Sequence, residues 1–294
     1  MNWILLALIS PLFYAAANVL DKIVTGNFIK KSHNYLVIIG ISYVGYAVLL
    51  PFVDVTVNTS IIYPIIGGFL HFMGIIFYLK ALKDEDASTI APLMQMSPLY
   101  VLLLSIVFLS ETLRMIQILA FFLIITGAIF ISLKIESLKL SKAFFLMNIC
   151  AFFFAVNGAL IKYSMNYLNS WTIVIFNAVG HLVAVGLILF NVKKTRNFVA
   201  DAVKFSLPGW ILAIIANVAA LTGHIFLTFA AETGPISLVT ALGTFHAVYV
   251  FILSIAVTMF VPKLLKEPMN IFILAKKLVS ILLMVVGLTL LYIR

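Results

Sequence analysis

Charge is what this sequence has least of. Only 10% of its residues are Asp, Glu, Lys or Arg, while 64% are hydrophobic and the mean hydropathy is +1.20. A soluble domain carries about one charged residue in four. A chain so poor in charge cannot coat itself for water, so lipid must solvate most of its surface. Acids are scarcer than bases, 10 Asp+Glu against 19 Lys+Arg, for a net charge of +9. With no soluble domain to present that charge, nucleic acid is not an expected partner. In a membrane chain, basic residues mark cytoplasmic loops instead. The single cysteine, Cys150, excludes an internal disulfide and a cysteine-based metal site. GxxxxGK[S/T] is absent, which excludes a P-loop and an ATP-driven pump. No Lys or Arg precedes the first apolar run, so a secretory leader lacks its basic segment and the run reads as an uncleaved span.

What the chain has is length without charge. Stretches free of Asp, Glu, Lys and Arg cover 1–20, 32–53, 55–79, 87–110, 115–133, 143–161, 163–192, 205–231, 233–262 and 278–293. A span needs about 20 apolar residues at 1.5 Å each. The last stretch is short, but Lys276 and Lys277 can snorkel to the interface. The expectation is an all-α membrane protein of ten helices with no extramembrane domain, in a lipid bilayer and specifically the cell membrane. A barrel would show alternating polarity, which is absent. With ten spans, all Lys and Arg fall on one side except Arg114, Lys162 and Arg294, sixteen against three. That side should be cytoplasmic, with both termini outside.

The sequence also repeats. Shifted by 149, residues 74–106 meet 223–255 without a gap and share eleven identities in 33, among them Gly74/Gly223, Phe77/Phe226, Ser88/Ser237 and Tyr100/Tyr249. A shift of 140 pairs FYAAANVLDK (13–22) with FFAVNGALIK (153–162). Two halves of five spans each, 1–136 and 137–294, must insert with opposite orientation. Inverted repeats are an architecture of secondary transporters, in which the halves exchange conformations.

On these features the chain resembles the drug/metabolite transporter superfamily, in its EamA-like branch. The resemblance rests on ASTIAPLMQMSPLYVLLLSIVFLSE (87–111), on ITGAIFIS (125–132), on their echoes at 236–260 and 283–290, and on NVLDK (18–22). The second copy departs from the pattern at VPKLLKEP (261–268), so no role is carried over there. The resemblance implies a non-enzymatic, cofactor-free transporter of a small metabolite, such as an amino acid or related solute. Its cavity would be lined by helices 1, 3, 4, 6, 8 and 9, and helices 2 and 7 would be peripheral. A flippase for a lipid or lipid-linked sugar is the alternative on the same fold. A basic cluster beside a lateral opening would favour it. A haem protein is disfavoured, since the four histidines inside spans form no repeated pair.

Those histidines are the first candidates for substrate contact. His224 maps onto Ile75 in the repeat, and His71 lies one turn before Ile75, so the two occupy equivalent faces. Asn217 shares the face of His224, and His246 maps onto Ser97. Gln95 lies between Pro92 and Pro98, where freed backbone can line a cavity. Asn18, Asn157, Tyr100 and Tyr249 complete the binding set, and Asp21 with Lys22 is a candidate gate. Histidine titrates near neutrality, so proton coupling through His71 and His224 is expected. His181, on helix 7, reads as structural, and so does Glu111, a carboxylate at a helix start. Ala216 and Ala220 read as helix packing.

Overall fold

The computed structural model describes residues 3–97, 99–100, 103–104, 115–134, 139–233, 239, 242–243 and 245–291. Pro98, Glu111, Arg114 and Arg294 lie outside them. The described chain is nearly all helix. Its long helices are α1 (Trp3–Ile23), α2 (Ser32–Ser42), α3 (Ile62–Asp84), a short α4 (Ala87–Met94), α5 (Met115–Ser132), α6 (Lys142–Ser164) and α7 (Ser170–Leu189). They continue with α8 (Val192–Ala202), α9 (Leu207–Thr233), α10 (Phe245–Phe260) and α11 (Ile271–Leu291). One two-residue antiparallel strand pair, Leu133–Lys134 with Lys139–Leu140, joins α5 to α6.

Seven helical segments among the described residues are long and apolar enough to cross a membrane, and α5 and α10 add shorter apolar helices. The chain is therefore an integral, multi-pass membrane protein. Large side chains on its outer face, such as Phe122, Phe145, Leu187 and Leu282, stand exposed, as lipid-facing positions should. The run 87–110 does not begin as one continuous helix. Pro92 cannot donate a backbone N–H, α4 ends at Met94, and the chain tightens through Gln95 N–H to Pro92 O and Met96 N–H to Leu93 O.

The second span changes winding midway. After Ser42, whose hydroxyl turns back onto Ile39 O at 2.6 Å, residues Tyr43–Phe52 form a 3₁₀ helix. Side chains three apart eclipse in such a helix, so Tyr43 and Tyr46 share one face, with ring centroids 6.0 Å apart.

Packing between helices early and late in the chain is reciprocal. α1 packs along α9 and α10, α6 packs along α3 and α4, and α5 pairs with α11. A Cβ on Gly74 of α3 would press on Phe154 of α6, and one on Gly223 of α9 would press on Tyr14 of α1. The ring pair Phe77–Phe153, at 6.1 Å, recurs as Phe226–Phe13, at 5.6 Å. The α3–α7 contact is tighter still. A Cβ at Gly68 would fall on the carbonyl of Asn177, and one at Gly180 on the carbonyl of Ile65. Small residues allow backbones to meet in this way.

Candidate functional site

Three polar clusters lie inside the bundle. The first joins α3, α7, α2 and α9. His181 is 1% exposed, and its Nδ1 lies 2.9 Å from the Asn177 carbonyl. A carbonyl only accepts, so this Nδ1 carries the proton and Nε2 of the neutral ring accepts. His71 Nδ1 lies 2.9 Å from that Nε2 and must be the donor. His71 is thereby left with Nε2 as its lone-pair side. Its ring stacks on Phe154 at 4.2 Å, and the ring of His181 stacks on Tyr43 at 3.8 Å. From Tyr43 the cluster reaches Tyr46, whose hydroxyl donates to Leu221 O at 2.9 Å and meets His224 Nδ1 at 3.3 Å. Because that hydroxyl proton is already used, His224 donates through Nδ1 and also presents Nε2 as an acceptor. Beside it Ser42 Oγ lies 3.0 Å from Asn217 Oδ1, so its one proton is shared between that oxygen and Ile39 O, and Asn217 Nδ2 donates to Ala213 O at 2.7 Å.

The second cluster is a chain of hydrogen bonds. His246 Nε2 donates to Asn18 Oδ1 at 2.9 Å, and Asn18 Nδ2 to Tyr78 Oη at 3.1 Å. Tyr78 donates to Asp21 Oδ2 at 2.9 Å, and Tyr35 donates to Asp21 Oδ1. The Asp21 carboxylate, in the last turn of α1, is thus held by two tyrosines from α2 and α3. Its neighbour Lys22 turns elsewhere, since adjacent helical residues diverge by about 100°. Lys22 Nζ donates to Leu82 O and Glu85 O, both at 2.7 Å, and caps the C-terminus of α3.

The third cluster closes the same end of the bundle. Lys277 of α11 lies 2.9 Å from Asp86 Oδ2, 3.2 Å from Glu267 Oε2 and 2.8 Å from Ser88 Oγ. Ser88 Oγ also donates to Glu267, and Ser88 N–H donates to Glu267 Oε1 at 3.2 Å. Glu267 therefore serves the start of α4 from far along the chain, where Asp86 makes no cap of its own. Both Glu267 and Lys277 are nearly fully buried.

The structure brings together many of the residues singled out by sequence, but in different partnerships. His71 and His224 fall in one cluster, linked through His181, Tyr43 and Tyr46. His246 and Asn18 join Asp21. Asn157 accepts from Asn177 Nδ2 at 2.8 Å, at the close α3–α7 contact. Gln95 is buried at the α4 break. Tyr100 donates to Asn148 Oδ1 at 2.8 Å, and Tyr249 tilts against Phe245, so neither pairs with the histidines. Sequence reasoning set His181 aside and missed Tyr35, Tyr43, Tyr46 and Tyr78. It also gave no role to Glu267. For the tyrosines, spacing held a signal, since Tyr43 and Tyr46 eclipse once the helix tightens. Among the described residues no three His, Cys, Asp or Glu side chains are grouped to hold a metal.

No curated protein matches the chain. A solved crystal structure superposes on it with a TM-score of 0.58, covering 98% of this chain and 96% of that one at 12% identity. That likeness concerns the fold alone. Residues 1–133 match the model of the EamA-like transporter family.

Proposed function

Over its first 133 residues the chain belongs to the EamA-like transporter family, and from that premise we propose that it is a secondary transporter moving a small metabolite between two inverted five-helix halves by alternating access. The halves would be 1–136 and 137–294, with ten spans and both termini outside the cytoplasm of the cell membrane. The observation that carries the reading is the reciprocal packing. Residues matched by the 149 and 140 shifts make the same contact twice, Gly74 with Phe154 and Gly223 with Tyr14, then Phe77 with Phe153 and Phe226 with Phe13. Each contact crosses between halves, which is what a pseudo-twofold axis in the membrane plane produces. Gly127 against Met284 and Gly287 against Ile124 extend the pattern to α5 and α11.

Substrate would bind at the histidine–tyrosine cluster, where His71 and His224 each use Nδ1 within the cluster and retain an Nε2 lone pair. Two acceptors on aromatic walls suit a solute that donates N–H bonds, such as an amino acid or related amine. The same Nε2 atoms would take up a proton if transport is proton-coupled. The flippase alternative calls for a side opening from lipid to this cluster. Against it stands Phe72, fully buried, which lines the groove between α3 and α7 and sets its edge toward His181 at 6.3 Å.

The test is a melting screen of the purified protein against amino acids, amines, nucleobases and sugars, followed by proteoliposome uptake of any stabilising compound. Ligand binding to the native state raises Tm. His71→Ala and His224→Ala should each lower uptake about tenfold or more, as loss of a buried hydrogen bond implies. Uptake at the parent rate in both variants from pH 5.5 to 8 would end the proposal that these histidines bind or relay.

A further inference from the structure

Phe72 closes the α3–α7 groove toward the histidine cluster, so the space on its lipid-facing side, beside the helix that follows α7, is separate from the proposed transport path. A groove of about 400 Å³ lies there. Phe69, Phe72 and Ile76 form one wall, and Leu187 and Ile188 the other, with Asn191 at its end. Phe69 and Ile76 are seven residues apart, so the groove runs about 10 Å along the helices. It is apolar along its length and ends where α8 begins.

α8 is unlike the other helices. It carries Lys193, Lys194 and Arg196 in its first turns, with Lys204 just beyond. One of its faces is fixed: Phe198 packs on the core, and Asp201 accepts from Lys31 Nζ at 2.7 Å and Asn34 Nδ2 at 2.9 Å. The opposite stripe, spaced i, i+4, i+7 and i+11, is Val192, Arg196, Val199 and Val203. Its valines are 79%, 54% and 83% exposed. Pinned on its other side, the helix cannot turn these valines inward. Exposed apolar residues around an arginine are the pattern of a helix lying in the bilayer interface, with the arginine stem snorkelling toward headgroups. The only acid in this segment, Asp201, is already bound to Lys31 and Asn34. The segment as a whole is net basic, with Lys193, Lys194, Arg196 and Lys204 against Asp201, and charge complementarity selects an anionic headgroup.

We propose that the α3–α7 groove and α8 together form a binding site for one anionic phospholipid, its acyl chain in the groove and its phosphate at the basic start of α8. The apolar groove alone would accept any acyl chain, and the basic helix alone any anion. Their adjacency selects a lipid that has both. The inference stands apart from transport, because the lipid is retained and its binding is read without any substrate.

The experiment is native mass spectrometry of the full chain in detergent, titrated with dioleoyl phosphatidylglycerol and with dioleoyl phosphatidylcholine. The parent should hold the glycerol lipid at least fivefold more tightly. Each basic residue near an anionic surface contributes roughly fivefold, so Lys193→Gln/Lys194→Gln/Arg196→Gln should erase the preference. Leu187→Trp, which fills the groove from its exposed wall, should weaken the dioleoyl lipid while leaving Tm unchanged. Dihexanoyl phosphatidylglycerol should bind the parent poorly. Equal retention of the two dioleoyl lipids, a preference that survives the triple variant, or dihexanoyl binding as tight as dioleoyl would each overturn the proposal.

Discussion

Lys277→Met should be among the most damaging single substitutions in the protein, and the reason is what it leaves behind. Lys277 holds Glu267 at 3.2 Å and Asp86 at 2.9 Å. The Glu267 side chain is 1% exposed, whereas that of Asp86 is 28% exposed. With the ammonium removed, Asp86 can turn to water, but Glu267 stays buried with only the Ser88 hydroxyl and N–H as donors. Stranding one member of a buried pair costs about 3–5 kcal/mol. At roughly 2–4 °C per kcal/mol, Tm should fall by about 6–20 °C. Asp86→Asn removes the half-wet partner and should cost about 1 kcal/mol or less. Lys277→Met/Glu267→Gln removes both charges and should recover at least half of the loss. The assay is thermal unfolding read with a maleimide fluorophore. Cys150, the sole cysteine and fully buried, reacts only as the fold opens. A Lys277→Met protein melting within 2 °C of the parent, or a double variant no better than the single, would refute the reasoning.

Three further outcomes follow from single contacts. Gly68→Ala and Gly180→Ala should each cost about 1–3 kcal/mol by wedging α3 from α7, while Gly186→Ala, whose Cβ would meet nothing within 4 Å, should leave Tm unchanged. Asp201 is held below the usual carboxylate range by its hydrogen bonds from Lys31 and Asn34. A carboxyl lowered in the fold stabilises above its unfolded value, near pH 4, and loses that contribution as pH falls through the lowered value. The small Tm gap between parent and Asp201→Asn should therefore be present at pH 7 and close below about pH 4. A reporter fused after Arg294 should lie outside the cytoplasm and one placed in 193–204 inside; the reverse would overturn the charge-based orientation.

Membrane character and the resemblance to a transporter family were legible because they depend on composition and on runs longer than any local irregularity. The 149-residue shift drew attention to His71 and His224, and the structure links both to one cluster through His181, Tyr43 and Tyr46. Their partners could not be read. Which neighbour a side chain meets depends on how two helices are rotated and how closely they approach. Gly68 and Gly180 bring α7 against α3, and so bring His181 to His71, although α7 had been assigned to the periphery. The 3₁₀ winding after Ser42 brings Tyr43 to His181 and Tyr46 to His224, whereas a continuous α-helix would offset the two tyrosines by about 60°. Asp21 and Lys22 were grouped as one candidate gate because they are adjacent in sequence. Helical geometry instead sends one to Tyr35 and Tyr78 and the other to the end of α3. Glu267 was passed over because its segment departs from the family pattern, yet that departure carries a buried carboxylate to the start of α4.

The most direct test of transport between the halves is the accessibility of Ser42, which contacts Asn217 beside His224. In a Cys150→Ala background, Ser42→Cys should react with a membrane-impermeant methanethiosulfonate in both right-side-out and inside-out vesicles, because the pathway opens to each side in turn. Val44→Cys, at a 52% exposed position in the same span, should stay inert in both. Reaction of Ser42→Cys from one side alone, or from neither, would contradict alternating access through this cluster.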